Sequence, residues 1–256
     1  NEAIKSYTAE EYQTLSNLIE YGADHAKNED IPRKEVKSSP IFKKYPELLS
    51  DGYAFKVARI EPENNIAEIL LAFSIYQERK LVVVGNWAHS KYGLDIREKY
   101  EPYKNIYLID PIYNQKELNI LRSNCFLYIH GHSAGGTNPS LIEAMHLQLP
   151  IVAFDVTFNR KTTEEVAFYF STAQDLIQLL KETSYKEYIA NSHTMKRIAD
   201  HRYTWNIIAN KLELLLLSVG MNQEKKSVFP RFSHLSAARL QEFGISHLKS
   251  SKLFYE

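Results

Sequence analysis

Four consecutive residues, Leu81-Val82-Val83-Val84, are apolar without interruption, and the same pattern returns at Cys125–Ile129 and Pro150–Phe154. A strand with no polar alternation has both faces covered, as in a parallel sheet packed between helices. The intervening segments read as those helices. Asn65 to about Glu78 carries Ile66, Ile69, Leu70 and Phe73 on one face. Ser90–Tyr100, Gln115–Ser123 and Thr172–Leu180 supply further helices, and Tyr53–Ile60, Asn105–Ile109 and Ala167–Phe170 further strands. Strands alternating with helices, joined by right-handed crossovers, predict an α/β fold: a Rossmann-like, doubly wound parallel sheet. Ligands bind such sheets beyond the carboxyl ends of the strands.

One stretch at that edge stands apart: His130-Gly131-His132-Ser133-Ala134-Gly135-Gly136-Thr137-Asn138-Pro139-Ser140, between the fourth strand and a helix running to about Leu147. Asn138 suits a helix N-cap and Pro139 the first helical position. The turn has two readings. It is a tight strand-to-helix connection using glycine for geometry, or a cradle in which free N–H groups and a positive helix end meet a phosphate. Two histidines and several small polar residues exceed what geometry requires and favour the cradle. Glu143, just past the first turn, is expected to face the same opening. Arg59, Asn86 and Tyr113 also fall at or just after predicted strand ends. Arg59 is either a bidentate anion clamp or a surface arginine paired with Glu61 or Glu63, and its place on the ligand edge favours the clamp.

Composition removes several classes. Among 256 residues, Lys+Arg and Asp+Glu both number 31, a formal net charge of zero that argues against a general nucleic-acid binder. One cysteine, Cys125, excludes an internal disulfide and a multi-cysteine zinc site, and its apolar surroundings predict a buried thiol. No apolar run approaches the roughly 20 residues of a membrane-spanning helix. The opening Asn1-Glu2-Ala3-Ile4-Lys5 lacks signal-peptide character, so a cytoplasmic location is expected. No G-x-G-x-x-G follows the first strand, and neither a G-x-x-x-x-G-K-[ST] nor a G-x-S-x-G is present. His130 and His132 are expected to point to opposite sides with no third ligand nearby, and no D-x-D lies at a strand end, so neither a metal nor a cofactor is expected. The histidines then read as donor contacts or as hydrogen-bonded structural groups.

Taken in order, several segments resemble the C-terminal, donor-binding half of GT-B glycosyltransferases of family 4, over about Ile19 to Leu217. Ile19-Glu20-Tyr21-Gly22-Ala23-Asp24 is similar to the hinge between the two halves. Val57-Ala58-Arg59-Ile60-Glu61-Pro62-Glu63-Asn64-Asn65 resembles the G-R-L-x-x-x-K segment, and Leu81–Asn86 the second strand with its glycine turn. Ser140–Met145 followed by Leu149–Ala153 resembles P-x-x-E-A-M-A-x-G-x-P-V-V-A. Tyr203-Thr204-Trp205 resembles the start of the closing helix. The spellings E-P-E-N-N and H-G-H-S-x-G-G-T-N-P-S-L are similar to the bacterial rhamnosyltransferase branch, which builds capsule or cell-wall polysaccharide from dTDP-L-rhamnose.

The resemblance implies a metal-independent glycosyltransferase that takes dTDP-L-rhamnose or a UDP-sugar and transfers the sugar to a glycan or lipid-linked acceptor. Arg59 would stabilise the diphosphate leaving group and Glu143 would hold the ribose. The backbone of Gly136, Thr137, Asn138 and Ser140 would hold the distal phosphate or the sugar. Gly85 and Asn86 would line the donor site, Ile112 and Tyr113 would flank the base, and His130 and His132 would lie near the sugar. Two positions depart from the family: Asn64 stands where a lysine is expected, and Gly135 where the first glutamate of Glu-x(7)-Glu is expected. Both changes suit a less polar deoxy-sugar, and both suit a non-catalytic nucleotide-binding module. Another GT-B enzyme, such as a UDP-sugar glycosyltransferase, an epimerase or an α-glucan synthase, is the remaining alternative. Residues 1–24 are expected to be the end of an N-terminal half and the hinge, 25–217 the donor domain, and 218–256 a tail that either docks to that missing half or is solvated and loosely held. Lys225, Lys226 and Arg231 would offer a peripheral contact to the inner face of a membrane. Such a piece should bind its donor weakly and transfer inefficiently by itself.

Overall fold

The computed structural model describes residues 1–12, 16–27 and 32–221; the tail cations Lys225, Lys226 and Arg231 lie outside the described residues. Helix α1 (Glu2–Tyr12) is followed by three short helices, α2 (Arg33–Ser38), α3 (Pro40–Lys44) and α4 (Glu47–Asp51). The strand–helix alternation then runs β1 (Ala54–Val57), α5 (Ile66–Ile75), β2 (Leu81–Val84), α6 (Lys91–Tyr100), β3 (Ile106–Ile109), α7 (Gln115–Ser123) and β4 (Leu127–His130). It continues through α8 (Pro139–His146), β5 (Ile151–Phe154), α9 (Thr157–Thr162), β6 (Phe168–Phe170) and α10 (Ala173–Glu182). Two long helices, α11 (Tyr185–Arg202) and α12 (Trp205–Met221), close the described chain.

The six strands are all parallel in the order β3-β2-β1-β4-β5-β6. The chain winds outward from β1 to β3, returns to place β4 beside β1, and winds outward again. This is the doubly wound arrangement expected from the apolar runs. Alternate residues of each strand feed two apolar layers. Ala54, Leu81, Val83, Leu127 and Ile129 join Ile66, Ile69, Leu70 and Phe73 of α5 on one face. Phe55, Val82, Val84 and Tyr128 join Leu141 and Met145 of α8 and Met195 and Ile198 of α11 on the other. Fully buried side chains such as Ile69 and Phe73 each contribute about 2 kcal/mol relative to exposure.

The first strand is shorter than expected. Its neighbour β2 ends at Val84 and turns at Gly85, so Ala58 finds a last partner in the Val84 carbonyl and the chain then leaves the sheet. A Cβ at Gly85 would stand 2.6 Å from the Ala58 carbonyl oxygen and 2.4 Å from Ile60 Cδ1, so only glycine lets the two turns pack this closely. Helices α2, α3, α4 and α9 are too short to show a helical period. Helix α11 begins with a reciprocal cap between Ser184 and Glu187, a Ser-x-x-Glu signal readable in the sequence.

The segments likened to a hinge and a closing helix lie against each other. The Ala23 amide donates to the Tyr203 carbonyl at 2.8 Å, and the Trp205 amide to Asp24 Oδ1 at 2.8 Å. A Cβ at Gly22 would lie 2.6 Å from the Trp205 ring, so glycine sets this contact too. Glu20 is buried beside them, with Lys211 Nζ at 2.7 Å from one oxygen and Arg202 Nη2 at 3.7 Å from the other. Cys125 is buried, and desolvation pushes its thiol up to about 12. Among the described residues no helix is long and apolar enough to cross a membrane.

Candidate functional site

The strand order reverses between β1 and β4, so their carboxyl ends open onto a crevice uncovered by crossover helices. A cleft of about 330 Å³ lies there. β1 supplies Lys56, the following loop Arg59 and Asn64, β4 and its loop His130 and His132, and the end of α7 Arg122; Asn138 and Ser140 close the α8 side. The lining is cationic and polar although the chain has no net charge.

Arg59 lies two residues beyond β1. Its side chain is 77% exposed, with Nη2 3.6 Å from Glu63 Oε1. It therefore stands on the cleft rim and also has the Glu63 partner that the surface reading required. Asn64 is buried and organises the loop: its Nδ2 donates to the Arg59 carbonyl at 3.0 Å, and its Oδ1 faces His132 Nδ1 at 3.1 Å. His130 and His132 do not point to opposite sides. Residues two apart on an extended segment share a face, and both line this cleft with ring centroids 6.3 Å apart. His130 Nε2 is buried without a hydrogen-bond partner among the described residues. Burial, with the Lys56 charge second, holds the His130 pKa well below the usual histidine range and lowers that of His132. Among the described residues no three His, Cys, Asp or Glu side chains group as metal ligands.

The glycine-rich turn divides in two. Asn138 caps α8, its Oδ1 accepting from the Ser140 amide at 3.0 Å and the Ser140 hydroxyl at 2.8 Å. The Ser140 N–H expected to be free for a phosphate is thus already satisfied. Gly135 holds φ +100°, a backbone state open to glycine. Gly136 and Thr137 lie under α1 instead of in the cleft: a Cβ at Gly136 would meet Ile4 Cδ1 at 2.4 Å, and Asn1 Nδ2 lies 3.5 Å from Thr137 Oγ1. Glu143 is held from two sides. Arg122 Nη1 stands 2.7 Å from Oε2 without hydrogen-bond alignment, and His25 Nε2 stands 3.3 Å from Oε1. Gly85 is consumed by packing, Asn86 is exposed beyond β2, Ile112 packs on the core edge and Tyr113 is 88% exposed. None of these four lines the cleft.

Two residues that sequence reasoning did not single out are central. Lys56 is 1% exposed, has no hydrogen bond or ion pair among the described residues, and has its pKa lowered to about 7 by desolvation. Its signal was a lone cation inside an apolar run. Arg122 is 4% exposed, with Nε lacking a hydrogen-bond partner among the described residues; a basic residue in the last turn of a helix is ordinary, so the sequence offers no signal for it.

The glycosyl transferases group 1 family model matches residues 38–194. Glycosyltransferase 1 domain-containing protein 1 of Xenopus tropicalis is 25% identical over 148 residues, 56% of this chain and 42% of its own. In fold, the chain is similar to a glycosyltransferase from Rickettsia africae ESF-5, with TM-score 0.71 and 14% identity over 86% of this chain and 62% of that one. It is also similar to Anabaena HepE solved with UDP-glucose, with TM-score 0.63 and 14% identity over 79% and 58%. The chain spans less than two thirds of the length of each of these relatives. The family match extends over more than half of the sequence and takes in both walls of the cleft: the chain belongs to the glycosyl transferases group 1 family.

Proposed function

We propose that this chain is the donor-binding half of a glycosyltransferase and that the cleft between β1 and β4 holds a nucleoside diphosphate sugar. The observation that carries the reading is the convergence of Arg59, Arg122, His130 and His132 on one crevice at the strand-order reversal. Transfer leaves negative charge on the departing diphosphate, and preorganised cations at that point stabilise it. Arg59, loosely tied to Glu63, is free to swing onto the diphosphate as a bidentate donor. His132 and Ser140 are placed for the sugar end. Glu143, although ion-paired, keeps acceptor lone pairs for ribose hydroxyls.

The donor we assign is dTDP-L-rhamnose, on the E-P-E-N-N and H-G-H-S spellings and on the amide at Asn64. A UDP-sugar is the second reading, favoured by the UDP-glucose that the Anabaena relative holds. The acceptor side belongs to an N-terminal half. Support for that division comes from α12, whose Leu212, Leu214, Leu216 and Leu217 are exposed and would be covered by such a half. Residues 1–24 then form its end and the hinge, 25–217 the donor unit, and 218–256 the tail that returns to it, working on a polysaccharide or lipid-linked acceptor at the inner membrane face of a bacterium.

Calorimetry with dTDP, UDP, GDP and their sugars tests this. Binding of one nucleotide, weakened in Arg59→Ala and Glu143→Ala, supports a donor site and names its base. dTDP-rhamnose no tighter than UDP-glucose removes the rhamnosyl assignment. Absence of binding by any of them leaves a degenerate module, or a site that forms only with the N-terminal half.

A further inference from the structure

We infer that Lys56 is a phosphate-binding residue of this cleft, its Nζ placed to take a diphosphate oxygen from beneath while Arg59 closes on it from the rim. The inference rests on the donor reading of the cleft. It starts from position. Lys56 occupies the third residue of β1, paired in register with Val83, on the sheet face that otherwise carries Ala54, Val83 and Ile129. A sheet covered on both faces has no use for an ammonium there, and a buried charge without a partner costs several kcal/mol. Other buried or half-buried cations here have carboxylates: Lys211 has Glu20, Arg122 has Glu143, and Arg202 has Glu20 and Glu164. Lys56 has none among the described residues, and it lines the cleft.

Backbone geometry makes room for its ammonium head. A Cβ at Gly131 would stand 3.1 Å from Lys56 Nζ, 2.2 Å from the Asn64 carbonyl oxygen and 2.9 Å from Ile69 Cδ1. Glycine at this position lets the ammonium sit where β1 and β4 open, directly below the loop carrying His130 and His132. Lys56, His130 and Arg122 all line this cleft; among the described residues His130 Nε2 and Arg122 Nε have no hydrogen-bond partner, and Lys56 has no carboxylate. What satisfies them together is an anion with several oxygens, and a diphosphate has that chemistry.

Proton balance provides a signature. The groups facing Lys56 are His130 and His132 from the β4 side, Arg59 and the Asn64 carbonyl from the loop after β1, and Arg122 from α7, with Glu63 beyond His132 and Glu143 beyond Arg122. Cations outnumber carboxylates in this set, and among the described residues no carboxylate pairs with protonated Lys56. A bound diphosphate does. Above about pH 7, where desolvation leaves the amine increasingly neutral, binding must carry a proton with it. Affinity therefore falls up to tenfold per pH unit above that point. The two histidines are neutral in this range because burial lowers both.

The test is calorimetry with inorganic pyrophosphate, UDP and dTDP on the wild-type chain and on Lys56→Met, in HEPES and in Tris at pH 8.5. The buffers differ in ionisation heat and so count protons. Expected results are wild-type uptake of close to one proton, and at least a tenfold loss of affinity with no uptake in Lys56→Met, whose melting temperature is not lowered. Lys56→Gln provides a second neutral side chain should the methionine variant misfold, and wild-type uptake at pH 8.5 is read without any variant. Unchanged affinity in a folded neutral variant, no proton uptake by the wild type, or no binding of any of the three probes overturns the inference. If the nucleotides bind but ignore Lys56→Met, this inference fails while the donor reading survives. If pyrophosphate binds through Lys56 and neither nucleotide binds more tightly, the lysine site stands and the donor reading fails.

Discussion

Glu20 and Lys56 are about equally withdrawn from water, at 7% and 1% exposure, yet their surroundings are opposite. Glu20 lies where the hinge-like segment meets α11 and α12 and is ion-paired to Lys211 and Arg202. Lys56 lies at the mouth of the sheet with no counter-ion among the described residues. A buried charge with its partners in the same chain is part of the architecture; one without such partners calls for an explanation, and a ligand is the one inferred above. The contrast separates two regions of the protein, a seam joining residues 20–24 to α11 and α12 and a cleft whose lysine lacks a counter-ion among the described residues.

The largest break in this contrast should come from Glu20→Leu. It leaves Arg202 and Lys211 facing each other across an apolar side chain and should lower the unfolding free energy by about 3 kcal/mol in urea titration. A change below about 1 kcal/mol would show that the seam is already wet. Lys56→Met should act with the opposite sign, stabilising the ligand-free chain by about 2 kcal/mol at neutral pH. The pH dependence sharpens it. Lys56 has a folded pKa of about 7 against an ordinary value of 10.5, so between those values the unfolded chain binds more protons. The penalty is full below about pH 7 and shrinks as pH rises, so wild-type stability should climb by up to about 1.4 kcal/mol per pH unit between 7 and 9. Lys56→Met should lack that slope. Above pH 9 the Cys125 thiol, protonated in the fold up to about 12, opposes it.

Gly131→Ala is a smaller perturbation, about 1.5 kcal/mol of overpacking against the Asn64 carbonyl and Ile69, read as a lower melting temperature. Arg59→Ala should change stability least, under about 0.5 kcal/mol, because an exposed arginine 3.6 Å from a carboxylate adds little. Its nucleoside diphosphate affinity should still drop about tenfold, which is the profile of a ligand residue outside the architecture.

Much of the fold was legible because its signal is local. Leu81–Val84 reads as a doubly covered strand and is one, fully buried along its length. Asn138 and Pro139 mark the start of α8, which begins there. The cleft was legible in its edge and less so in its lining. Arg59 and the two histidines fall at strand ends and can be found by counting. Lys56 is hidden because a hydrophobic average over Tyr53–Ile60 absorbs one charge, and the information lay in the exception. Arg122 and Glu143 are separated along the chain and meet only through the β4 crossover. The covering of Gly136 and Thr137 by Asn1 and Ile4 is likewise a contact between distant segments, which no turn rule encodes.

The cleft has a kinetic consequence. Its cations sit in low-dielectric walls on a chain with no net charge. Field lines from Lys56, Arg59 and Arg122 therefore emerge through one opening, without a general positive surface to compete for the same anion. On the donor reading, an approaching diphosphate is drawn to the carboxyl edge of the sheet. Raising ionic strength slows its arrival more than its departure, because screening reaches the approach path in water and spares contacts formed inside.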